Sequence, residues 1–112
     1  MSKFCSINLL CESENGKIYT CDSCDEKVVF CFNNVTQSMC KKYFKKFSQN
    51  ILTINLTKFF NDFPLENKIH IRTEWNALFY SFTKKEMTEI AVLLNQANFK
   101  LNVYERYALF LN

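Results

Sequence analysis

The residues with the most chemistry to offer are six cysteines, two of which form the pattern Cys21-Asp22-Ser23-Cys24. Two thiolates two residues apart in a tight turn can reach one tetrahedral ion, which is why zinc knuckles use this spacing. Cys5 and Cys11 precede the pair, and strand geometry sends them toward it. If the chain turns back at Asn15-Gly16, Leu10 faces Cys21 and Cys11 faces Thr20, so the first strand starts at the knuckle end. The expected zinc ligands are therefore Cys5, Cys21 and Cys24. Cys11 is the best fourth ligand, followed by His70, the only histidine. Cys31 lies about 23 Å beyond Cys24 along an extended strand and reads as a small hydrophobe, as does Cys40 at the start of a helix. A structural zinc normally has four protein ligands, and no second CxxC or CxxH is present. The competing reading is a set of reduced thiols around a plain turn. A redox role is weaker, since it wants the first thiol at a helix N-terminus, whereas a strand follows here.

Other chemistry is sparse. A single glycine excludes a Gly-rich phosphate loop, and a single histidine leaves few general bases. No Ser-His-Asp pattern stands out, and nothing marks an enzyme. Asp22, Asp25 and Glu26 around the knuckle read as solvated; Trp75 and Tyr80 read as core rings. Lys41, Lys42, Lys45 and Lys46, with Tyr43 and Phe44 among them, could meet phosphates and stack bases. Helical spacing puts those rings on the face away from the lysines, however, so the bland alternative is a solvated helix face over a core. The function expected is a non-enzymatic binding or interaction module with a structural zinc knuckle. Its partner would be another protein or a second copy joined through a strand edge. Nucleic-acid binding through Lys41–Lys46 is the alternative.

The elements that must position these residues come from periodicity and caps. Residues 6–14 and 17–20 read as strands joined at Asn15-Gly16, a pair that favours a type I′ turn with positive φ. Residues 27–33 read as an apolar strand. Residues 36–49 read as a helix opened by Thr36, with Met39, Tyr43, Phe44 and Phe47 on one face. Leu52, Ile54 and Leu56 alternate with polar residues, which predicts a strand. Residues 69–73 and 77–82 read as a second hairpin. Thr83-Lys84-Lys85-Glu86 is a capping box opening a helix to about residue 97, and Asn102 with Glu105 could cap a last short helix.

An internal echo runs through this order. Lys17 to Cys24 precedes a strand with Phe30 and a Thr36-opened helix; Lys68 to Trp75 precedes a strand with Phe79 and a Thr83-opened helix. Phe30 and Phe79 read as matching core rings. The expected fold is α+β: two strand–turn–strand–helix (ββα) units forming one mostly antiparallel sheet with helices on one face. At 112 residues this is one domain, and a duplication of 6–50 and 68–100 would account for the echo.

Composition agrees with a folded module. The chain is 48% hydrophobic and 16% aromatic, enough for a real core, and a net charge of +3 is too small to argue for nucleic acid by itself. No apolar run approaches the roughly 20 residues that span a bilayer, so no membrane role is expected. The opening residues Met1 to Cys5 lack a sustained apolar run, which predicts a reducing cytoplasm and free or metal-bound thiols.

The stretch from Cys5 through Gly16-Lys17-Ile18-Tyr19-Thr20-Cys21 to Cys24, Val28-Val29-Phe30 and a Thr-opened helix resembles a small uncharacterised family of Bacteroidetes-type bacteria. Members of this family, of the domain-of-unknown-function kind, carry an N-terminal Cys, an Asn-Gly hairpin and a CxxC. The resemblance implies a bacterial cytoplasmic origin and the grouping of Cys5, Cys21 and Cys24. It implies no activity. Members often have Gly after the second knuckle Cys, where this chain has Asp25.

Overall fold

The computed structural model describes residues 7–21, 27–73 and 77–111. Its elements run β1 (Ile7–Glu12), β2 (Gly16–Cys21), β3 (Lys27–Phe32), β4 (Val35–Met39), α1 (Lys41–Leu52), α2 (Leu56–Asp62), β5 (Lys68–Arg72), β6 (Phe79–Thr83) and α3 (Lys84–Leu111). The class is α+β, with strands preceding helices and every strand pair antiparallel. The strands divide between a four-stranded sheet, β1-β2-β3-β4, and a separate pair, β5-β6, where one sheet was expected.

That difference begins at Thr36. The expected helix cap sits in the middle of β4, opposite Cys31. The chain turns at Asn33-Asn34, where Asn33 adopts φ 51°, a left-handed conformation that Asn tolerates through its short polar side chain. Helix α1 starts only after Cys40, whose Sγ accepts the Tyr43 N–H at 3.4 Å. Phe44, Phe47, Ser48 and Ile51 then fall on its buried face at i, i+3, i+4 and i+7. The Ser48 hydroxyl returns to the Phe44 carbonyl, so a polar residue on this face stays satisfied.

The strand expected over 52–56 is instead a helix end, a link and a helix start. Thr53 caps α1 by donating its N–H and hydroxyl to the Gln49 carbonyl. Asn55 caps α2, its side-chain oxygen accepting the Lys58 N–H at 3.0 Å. The apolar alternation of Leu52, Ile54 and Leu56 came from two caps in close succession.

Helix α3 opens on the expected capping box. The Thr83 N–H donates to Glu86 at 2.8 Å, and the Glu86 N–H donates to the Thr83 hydroxyl at 3.1 Å. The helix continues to Leu111 without the break expected near residue 98. No Gly or Pro interrupts it, and the Asn98 amide folds back onto the Leu94 carbonyl of its own helix.

The core lies between the helices and one face of the β1–β4 sheet, and the β5–β6 pair closes it. Phe30 of β3 meets Phe47 of α1 edge-on at 5.4 Å, and Phe32 meets Phe82 of β6 at 5.7 Å. Leu10, Ile18, Phe30, Phe44, Leu93 and Leu94 are completely buried there. The matching ring in the second hairpin is not Phe79. Register places Ile69 opposite Phe82 and Ile71 opposite Tyr80 on the inner face, so Phe79 faces out beside Arg72, 46% exposed.

Gly16 is the start of β2 and has no positive φ, so the turn is not the type I′ turn its sequence suggests. Glycine is needed there for room. A Cβ would stand 2.7 Å from the Cys31 carbonyl oxygen, 2.8 Å from the Phe32 ring and 3.0 Å from Leu93.

Candidate functional site

The thiols do not gather as the sequence suggested. The first hairpin closes with Glu12 opposite Lys17, so Cys11 lies opposite Ile18 instead of Thr20, and a β-bulge between Leu9 and Cys11 then brings Ile7 opposite Cys21. Side chains alternate between the two faces of a strand. Cys11 therefore shares the core face with Ile18, and Cys21 points to the other face. Cys11 is buried, its thiol donates to the Leu93 carbonyl at 3.2 Å, and burial raises its pKa. Its position corrects the expectation that it reaches the knuckle end.

Cys21 does sit at that end, on one rung with Ile7 and Lys27. Cys5, Cys24, Asp22, Asp25 and Glu26 lie outside the described residues. Cys31 is half-buried on the same outer face, and Cys40 is the cap of α1. His70 is on β5, exposed, with Nδ1 2.6 Å from the Ser81 hydroxyl. Among the described residues, no three His, Cys, Asp or Glu side chains stand close enough to share an ion.

The lysine stripe of α1 offers no stacking platform. Phe44 is buried, and Tyr43 stacks on Phe47 at 6.3 Å. Lys45 pairs with Glu105 of α3 at 3.2 Å. Tyr80 is a core ring, as the sequence suggested, and burial pushes its hydroxyl up to about 12. Trp75 lies outside the described residues.

What sequence reasoning missed is a groove of about 560 Å³ between β4 and β6. Its walls are the lengths of two strands, Asn34–Ser38 on one side and Leu78–Phe82 on the other. Each strand is paired along one edge only, β4 to β3 and β6 to β5. The lining carries no charged side chain; Thr36, Gln37 and Ser38 form a polar run on one side, Ser81 stands between Tyr80 and Phe82 on the other, and Leu78 and Phe79 stand exposed at one end. Only Val35 and Met39 are apolar in β4, so its sequence carries no apolar alternation and Thr36 reads as a helix cap.

Two turns are tied to the start of α3. Glu89 accepts the Ser13 hydroxyl together with the backbone and side-chain N–H groups of Asn15. These hydrogen bonds hold its carboxyl below the usual range. Glu86 accepts the Asn33 amide at 3.1 Å, and the Asn33 backbone N–H donates to the Asn15 carbonyl at 2.8 Å. Both carboxylates are occupied in holding loops, an arrangement that positions the sheet against α3.

These features define a small α+β domain whose helices cover one face of its main sheet, with an uncharged groove between two strand edges. The chain belongs to the Family of unknown function (DUF6686), which it matches over residues 3–112. No curated protein and no solved structure matches it. No helix among the described residues is long and apolar enough to cross a membrane.

Proposed function

We propose that this protein is a non-enzymatic interaction module that receives an extended peptide segment between β4 and β6. The observation that carries the reading is the pair of half-paired strand edges facing one groove. Unpaired backbone N–H and C=O groups along a strand edge are a template for an added strand. An uncharged lining favours a segment rich in Thr, Ser and small apolar residues, because a buried charge would find no partner there. Selection from a random peptide library, followed by amide chemical-shift mapping, tests this. Binders that shift β4 and β6 amides support it; binders that shift only other regions, or none at all, refute it.

A structural zinc belongs to the same proposal. Cys21 would hold it with Cys5 and Cys24, the fourth position being filled by a group other than Cys11. The support is the shared rung of Ile7, Cys21 and Lys27, the described residues nearest in sequence to Cys5 and Cys24. Zinc there would staple that corner and perform no reaction. Elemental analysis of protein purified without a metal-binding tag tests it.

A further inference from the structure

Helix α3 is apolar on two opposite sides. Met87, Ile90, Leu94 and Leu101 face the core. At roughly 100° per residue, Val92, Phe99 and Val103 cluster within about 40° of one another on the far side. A surface helix ordinarily carries one apolar stripe and one polar face. Val92, Phe99 and Val103, with Tyr107 flanking them about 60° round from Val92, are between 45% and 69% exposed. With about 200 Å² for a whole aromatic side chain, they present on the order of 400 Å² of apolar surface. That is a size at which the largest exposed patch of a monomer is often functional. With a polar rim it approaches the roughly 800 Å² that each partner contributes to a stable interface.

A second feature adjoins this face. Leu10 and Cys11 of β1, with Gln96, Phe99 and Lys100 of α3, line a hollow of about 340 Å³. The same patch thus holds a projecting ring, Phe99, and a recess beside it. A two-fold interface must be self-complementary, each surface supplying both the part that inserts and the part that receives. We infer that the outer face of α3 is a homodimer interface in which Phe99 of each copy enters the β1–α3 hollow of the other. The presence of projection and recess on one patch selects a second copy over an unrelated partner. The joint is between helices and not between β1 edges, because the bulge at Leu9–Cys11 interrupts the β1 ladder. None of these residues lines the β4–β6 groove, so the inference stands apart from the peptide-binding proposal.

Light scattering and sedimentation of the full chain over a wide concentration range test it. The expected result is a dimer whose dissociation constant rises at least about thirtyfold in Phe99→Glu, the loss of a central aromatic anchor. Leu65→Gln, at an almost fully exposed turn position outside both surfaces, should leave the constant unchanged. Phe99→Gln and Val92→Gln give the same readout if the carboxylate impairs folding. A strict monomer at every concentration would overturn the inference. So would a folded Phe99→Glu variant that dimerises like the parent, or a chain that associates only with vesicles or a different protein.

Discussion

The carboxylate of Glu89 on α3 accepts the hydroxyl of Ser13 from the β1–β2 turn at 2.5 Å, across 76 positions of sequence. Because Asn15 binds the same group, Glu89 is ionised more readily in the folded protein than in the unfolded chain. A depressed carboxyl pKa contributes stability that is present above the unfolded value, near 4.5, and is lost as the pH falls through the folded value. Urea unfolding of the parent should therefore show a stability loss on acidification below about pH 4.5 that is smaller in Glu89→Gln. At neutral pH, Glu89→Ala should cost about 1–2 kcal/mol through the freed turn groups. An identical acid profile in parent and Glu89→Gln would remove Glu89 from this role.

Gly16→Ala should destabilise the protein by about 1–3 kcal/mol, the usual cost of forcing extra volume into a packed site. Gly16→Val should cost more. The closest obstacle, the Cys31 carbonyl oxygen at 2.7 Å, is backbone, so trimming Leu93 in a double variant should not rescue it. Thermal melts decide this, and an unchanged Tm in Gly16→Ala would show that the strands can spread.

Phe30→Ala should cost about 3–5 kcal/mol, since it empties a fully buried position against Phe47. Phe79→Ala, on the outer face of β6, should cost less than about 1 kcal/mol. Denaturant midpoints for the two variants give a direct comparison. Equal costs would mean that Phe79 is covered in solution.

If zinc is bound, Cys5→Ser, Cys21→Ser and Cys24→Ser should each lower both zinc content and stability, because metal binding is coupled to folding. Cys11→Ala, Cys31→Ser and Cys40→Ser should keep stoichiometric zinc. Cys11→Ala should still cost stability, because its thiol is packed beneath Leu93. Protein that is metal-free as isolated and fully stable in chelator would refute the zinc proposal.

Several elements were legible from the chain by itself because their signals act over a few residues. The Thr83–Glu86 capping box appears as expected, with both reciprocal bonds formed. The second hairpin appears because Ile69, Ile71, Tyr80 and Phe82 alternate with polar or outward-facing residues at the period of a strand. The α+β class follows from such local patterns. Tertiary structure decided the rest. Thr36 is as good a cap as Thr83 in isolation, but no Glu or Gln follows three residues later, and pairing with Cys31 on β3 draws it into β4. Cys11 lies opposite Ile18 and bonds Leu93 because the hairpin closes through Ser13 to Gly16 and not through a two-residue Asn15-Gly16 turn, a register that neither composition nor spacing reveals. The second apolar side of α3 has meaning only once the core has claimed the first, since periodicity cannot tell which side of a helix is already covered.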